Sequence, residues 1–185
     1  MPGSDILMPK SAMGIIIGDI ISWTKMIIFT VAFALFLNHF VIVNASIPTG
    51  SMENAIMAGD RIVAFRLSYV FSEPARFDIV IFRYPDDETQ LYVKRIIGMP
   101  GETVNIRDGR VYINDSTEPL RYDFVRGIVF GDYGPFEVPE ESFFVLGDNR
   151  GNSEDSRNWQ NPYVHQNAIL GRAIFRYWRG INILR

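Results

Sequence analysis

The sequence predicts a mainly β domain carried behind one N-terminal membrane-crossing helix. Three observations carry that prediction. Met26 to Val43 (MIIFTVAFALFLNHFVIV) holds no Asp, Glu, Lys or Arg. From Ala45 onward the chain breaks into short runs rich in β-branched and aromatic residues, divided by Gly, Pro and Asp. Within that part, Thr103–Asn114 alternates apolar and polar residues on either side of Asp108-Gly109, a pair suited to the two positive-φ positions of a type I′ hairpin turn.

The apolar segment comes first. As a helix its 18 residues reach about 27 Å, against a hydrocarbon core of roughly 30 Å. Trp23 and Lys25 stand just before it, where interfacial aromatics and positive flanks collect. Lys10 and Lys25 precede the segment and the next cation is Arg61. The positive-inside rule therefore expects residues 1–25 as a cytoplasmic tail, 26–43 as the anchor, and 44–185 outside. A buried core helix of this length would carry at least one charge in most cases. A cleavable signal peptide ending Val43-Asn44-Ala45 is the stronger competitor, but signal h-regions run about 7–15 residues and start earlier. Asn38 and His39 fit the outer interface.

The strands follow in order. Candidates are Arg61–Arg66, Asp78–Arg83, Leu91–Ile97, the two arms of the Asp108-Gly109 hairpin, Ser142–Leu146 and Arg172–Trp178. A short helix fits only near Pro162–Ile169. Residues 115–140, with three Pro and three Gly, read as a loop-rich insertion.

Composition then narrows the chemistry. With 18 basic against 21 acidic residues, net −3, the chain lacks the cationic excess of a nucleic-acid binder. It has no Cys and two His, which removes disulfides, thiolate nucleophiles and Cys- or His-rich metal sites. No cofactor and no metal are expected.

Three segments could carry a reaction. In Ile47-Pro48-Thr49-Gly50-Ser51-Met52-Glu53, a Pro-Gly turn presents Ser51. A serine attacks only when a base takes its proton. His39 lies in the apolar segment, which leaves His165, or a lysine in the variant Ser-Lys arrangement. Lys94 is the only lysine beyond the tail, and burial could lower its pKa towards working pH, whereas arginine stays charged. Strand alternation in Tyr92–Ile97 leaves open whether Lys94 or Arg95 is the buried cation. Gly147–Arg157 (GDNRGNSEDSR) packs Asp148, Arg150, Ser153, Asp155 and Arg157 into one loop. It lacks the acidic order of a Ca²⁺ loop.

Taken in order, IPTGSME, RFDIV (Arg76–Val80), YVKRIIGMPGE (Tyr92–Glu102), GDNRGNSEDSR and the terminal GRAIFRYW closely resemble the boxes of the type I signal peptidases. These are membrane-anchored serine proteases that release exported proteins from their signal peptides. The resemblance covers nearly the whole chain from Met26. It implies the signal-peptidase/LexA-like β-fold, Ser51 as nucleophile and Lys94 as general base, with Ser153 orienting the Lys94 amine. It further implies an oxyanion hole from the Ser51 N–H and the Thr49 hydroxyl, an Asp155–Arg157 ion pair, and structural roles for Asp148 and Arg150. Implied partners are signal-peptide-bearing pre-proteins emerging from the secretion translocon and the lipid bilayer, with cleavage after small residues at −1 and −3. The chain departs from the family pattern at Glu53-Asn54-Ala55, where many members carry proline and threonine, at Phe77, where glycine is common, and at Gly151, where aspartate is common. The competing readings are a self-cleaving LexA-type protein and a membrane-tethered β-module without enzymatic activity.

Overall fold

The computed structural model describes residues 10–127, 131–178 and 180–184. It divides into two units, residues 1–40 and 41–185. The first nine residues of the expected tail lie outside the described residues.

In the first unit, α1 (Lys10–Phe36) is one continuous helix, closed by a π-helical turn at Leu37–Val41. Met13–Val41 has a mean hydropathy of 2.0, and its most apolar window is entirely unburied. A helix apolar on all sides with nothing packed on it matches a membrane-crossing segment. The hydroxyls of Ser22, Thr24 and Thr30 donate to the carbonyls four residues back, so these three side chains are satisfied within the helix. The helix differs from the expected 26–43 span at both ends. Its described residues begin at Lys10, and Gly14–Ile21, apolar apart from Asp19, is helical with the rest. It stops short of Ile42 and Val43, whose β-branched side chains enter a strand.

The second unit is mainly β. Its strands are β1 (Ile42–Ser46), β2 (Arg61–Phe65), β3 (Ile79–Tyr84), β4 (Asp87–Gly98), β5 (Thr103–Arg107), β6 (Arg110–Ile113), β7 (Tyr133–Glu137), β8 (Ser142–Leu146), β9 (Tyr163–His165), β10 (Ile169–Arg176) and β11 (Asn182–Ile183). The larger sheet runs β1-β2-β10-β3-β4-β8-β9, with β11 on β10, and the smaller runs β6-β5-β7. Every described pairing between strands is antiparallel. The β5–β6 turn puts Asp108 and Gly109 at φ 48° and 73°, as a type I′ turn requires.

β3 and β4 form the middle of the larger sheet, and apolar clusters cover both faces. Ile79 and Ile81 join Met52, Ile56 and Ile62 on one side, while Val80, Phe82 and Ile96 join Phe143 and Val145 on the other. A third cluster joins Ile97, Phe144 and Leu146 to Val104 and Val111 of the smaller sheet. The helix expected near Pro162–Ile169 is instead β9 followed by a 3₁₀ turn at Gln166–Ala168, because Val164 is fully buried against β8. The loop-rich insertion contains β7, which pairs with β5 despite its Gly134-Pro135.

Candidate active site

The turn carrying Ser51 is fixed at both ends. The Ile47 N–H donates to the Asp60 carbonyl at 2.9 Å and the Gly59 N–H to the Ile47 carbonyl at 2.7 Å, which closes the loop between β1 and β2. Met52 and Ile56, both fully buried, plug it into the core. Ser51 itself is 7% exposed.

Lys94 reaches the same point from β4. Its strand partner is Val80 on β3. On the opposite edge β8 pairs only from Arg95 onward, so Lys94 stands where the third strand ends and the edge opens. Its Nζ lies 2.7 Å from Ser51 Oγ. Lys94 is 4% exposed, and removal of its amine from water pulls the pKa from 10.5 to about 8. Asp155, Glu154 and Asp148 pull the other way and Arg157 reinforces the drop, but burial dominates.

The loop after β8 supplies the surround. Gly147 is obligatory there, since a Cβ would sit 2.5 Å from the Ser51 carbonyl oxygen and collide with Ser153 Oγ. The fully buried Asp155 accepts from the Gly147 N–H at 3.0 Å, from Ser153 Oγ at 2.7 Å, and from Arg157 Nε and Nη2 at 2.7 and 2.9 Å. The expected Asp155–Arg157 pair is therefore present. Ser153 is placed beside the site, but its hydroxyl turns to Asp155; among the described residues no hydrogen bond joins it to Lys94. That carboxylate is a strong acceptor for the hydroxyl proton. The Thr49 hydroxyl reaches towards Ser51 Oγ at 3.4 Å, a long contact.

Asp148 and Arg150 stand behind this layer with different partners. Asp148 pairs with Arg95, whose Nε and Nη2 reach the two carboxylate oxygens at 2.8 and 2.7 Å. Arg150 donates to the Gly147 carbonyl and to the Tyr122 hydroxyl. The role of Arg95 was not read from the sequence, although it adjoins Lys94. Both cations are buried because that half of β4 is covered on both faces.

His165 sits at the end of β9, half-exposed and 3.5 Å from Glu141, apart from this cluster. Among the described residues no group of three or more His, Asp or Glu could hold a metal ion.

The three departures from the family pattern fall close together. Phe77, at φ 74°, packs edge-on against Phe124 and Tyr122. The Asn54 side chain donates to the Phe124 carbonyl at 3.2 Å. Gly151 faces Gly127, at the end of the same segment.

Ser51 and Lys94 open on a cleft of about 1020 Å³. One wall is Asn44–Thr49 on and after β1, and the other is Gln90–Lys94 of β4, with Tyr133 and Arg150–Glu154 closing it. β1 is an outer strand of its sheet, and among the described residues β4 has no strand partner on its cleft side before Arg95.

A family model described as signal peptidase, peptidase S26, matches residues 20–178. A signal peptidase I of Leptolyngbya laminosa is 39% identical over 162 residues, covering 83% of this chain and 77% of the relative. A signal peptidase I of Bacillus licheniformis is 37% identical over 168 residues, covering 86% and 89%. A solved signal peptidase I of Enterococcus faecalis, 33% identical, covers 55% of this chain and 97% of its own, with a TM-score of 0.42.

Proposed function

Because the chain belongs to the signal peptidase family, peptidase S26, we propose that its cleft is a Ser-Lys peptidase site in which Ser51 is the nucleophile and Lys94 the general base. The protein is a serine endopeptidase that removes signal peptides from pre-proteins. One observation carries the assignment of roles: the 2.7 Å contact between Ser51 Oγ and an amine buried enough to lose its proton near neutral pH.

Neutral Lys94 accepts the Ser51 proton as Oγ adds to the scissile carbonyl carbon. The oxyanion that forms faces the Ser51 backbone N–H, with the Thr49 hydroxyl as second donor after a small rotation. Such donors are worth about 3–4 kcal/mol each. Protonated Lys94 then gives its proton to the departing amine. In the second half Lys94 takes a proton from a water as it adds to the acyl carbon, and returns that proton to Ser51 Oγ as the acyl–oxygen bond breaks and the carboxyl product leaves. Asp155, held by Arg157, fixes the Gly147 and Ser153 side of the pocket, and Asp148, paired with Arg95, fixes its rear.

The substrate enters extended, adding a strand between the free edges of β1 and β4, so that main-chain hydrogen bonds supply affinity. Side-chain pockets on that path admit small residues at −1 and −3. The N-terminal apolar helix fits a membrane anchor. With the tail cytoplasmic and residues 44–185 outside, the cleft meets pre-proteins as they leave the secretion translocon beside the bilayer.

The test compares cleavage of an exported precursor by the full chain in detergent with that by Ser51→Ala, Lys94→Ala and His165→Ala. The first two are expected to lose activity and the third to keep it. Full activity in Lys94→Ala refutes the dyad.

A further inference from the structure

We propose that Glu53 and Asn54 are positioning residues for the nucleophile, tethering the Ser51 turn to two separate segments behind it; this rests on the assignment of Ser51 above. The turn makes little regular backbone structure of its own, with Glu53 N–H to the Gly50 carbonyl at 3.1 Å and Ile56 N–H to the Met52 carbonyl at 2.8 Å as its local closures. Further restraints come from outside. The Asn149 N–H donates to the Ser51 carbonyl at 3.0 Å. The Asn149 side-chain amide donates to the Gly50 carbonyl at 3.2 Å and to the Glu53 carboxylate at 3.3 Å. That carboxylate folds back over Gly50, where a Cβ would lie 2.5 Å from Glu53 Oε1, so Gly50, Glu53 and Asn149 interlock.

The second tether runs from the Asn54 amide to the Phe124 carbonyl. Phe124 cannot move freely. Its ring lies under the Arg95 guanidinium at 4.0 Å and against Phe77 at 5.3 Å. Two residues on, the Arg126 N–H donates to the Asp148 carbonyl at 2.7 Å, and the Arg126 carbonyl accepts from the Arg150 N–H at 3.0 Å. The segment at Phe124–Arg126 thus holds the Asn149 loop from behind while Asn54 holds the segment. Turn, segment and loop form a closed circuit around Ser51.

Asn54 has φ 103°, a conformation that costs any residue with a Cβ and suits glycine. Asn54 tolerates the left-handed region better than most residues, and its amide is placed by that conformation to reach Phe124. Asn54→Gly therefore separates the two roles: it relieves the backbone while deleting the tether. A merely structural residue would leave such a variant at least as stable and fully active.

The experiment measures kcat, KM, the pH profile and Tm of the full chain in detergent with a signal-peptide substrate. The variants are Asn54→Gly, Asn54→Asp, Glu53→Ala and Glu53→Gln, with Ser51→Ala as control. Asn54→Gly, Asn54→Asp and Glu53→Ala are expected to lower kcat by about two- to tenfold, the loss of one hydrogen bond's worth of positioning. KM should stay within about twofold and the ascending pH limb should not move, since neither residue supplies the proton acceptor. Tm of Asn54→Gly should not fall. Glu53→Gln, which keeps an acceptor for Asn149, should recover most of what Glu53→Ala loses. Wild-type kcat in both Asn54→Gly and Glu53→Ala overturns the proposal, as does a rise in KM at constant kcat. Activity in Ser51→Ala instead overturns the assignment of the nucleophile, and the tethering role with it.

Discussion

With Lys94 as the proposed general base, its burial sets an expected pH dependence of cleavage. The perturbation is pH itself, taken from 6 to 10. With the amine pulled down to about 8, the neutral, proton-accepting fraction is ~9% at pH 7, half at pH 8 and ~90% at pH 9. At the ordinary value of 10.5 the fraction at pH 7 would be ~0.03%, so burial enriches the working form roughly 300-fold. The sign is fixed by direction: a lowered lysine pKa makes activity rise with pH, and earlier than an exposed lysine would. kcat/KM reports the free enzyme, and it should climb about tenfold between pH 7 and a plateau above pH 9, with half-maximum near 8. The assay is initial-rate cleavage of a fluorogenic signal-peptide substrate by the full chain in detergent, with Tm measured at each pH to exclude unfolding. A flat profile, or a limb still rising through pH 10, refutes the buried-base reasoning. Loss of the ascending limb in His165→Ala would hand the role to an imidazole.

Two further outcomes are expected. Gly147→Ala places a methyl group 2.5 Å from the Ser51 carbonyl oxygen; displacing the nucleophile by such a margin should cost about a hundredfold in kcat/KM, read with the same substrate, while circular dichroism stays that of the folded chain. Lys94→Met should abolish cleavage yet stabilise the fold. The lysine's folded-state pKa lies below its unfolded value, so the buried charge penalises the native state below pH 8, and the penalty fades between about 8 and 10.5. The shift is worth about 3 kcal/mol, offset by about 1 kcal/mol for the lost contact with Ser51, leaving about 2 kcal/mol in urea unfolding at pH 7 and a reversed sign above pH 10.5.

Much of this arrangement was legible beforehand where one local rule decides. The hairpin at Asp108-Gly109 follows from two residues able to take positive φ. The apolar helix follows from an uncharged run. The strands Asp78–Arg83 and Ser142–Leu146 follow from β-branched and aromatic content, and both appear within one residue of that range. What escaped depends on partners distant in the chain. β1 continues an apolar run that reads as more helix, and only pairing with β2 makes Ile42–Ser46 a strand. β7 contains Gly134-Pro135, which argues against a strand until β5 is placed beside it. In the site, turn chemistry and the scarcity of lysine make Ser51 and Lys94 candidates only, and it is the resemblance to the signal peptidases that joins them. The orientation of Ser153 towards Asp155, the pairing of Asp148 with Arg95, and the segment at Tyr122–Arg126 could not be read, because each is settled by which side chains meet across the folded loops.

The pairing of Arg95 with Asp148 bears on how such a sequence can change. Both side chains are 1% exposed and joined by two charge-assisted hydrogen bonds. Substituting either alone takes both of these charge-assisted bonds from a buried charge, at a cost of about 3–5 kcal/mol, a large share of what holds a domain of this size together. Replacing both at once with apolar groups of like volume could be neutral. Single-step drift at either position is therefore blocked by a valley, although the far side need not be lower. Because Arg95 directly follows Lys94 and Asp148 follows Gly147, that valley also fences in the neighbouring positions on which the proposed chemistry depends.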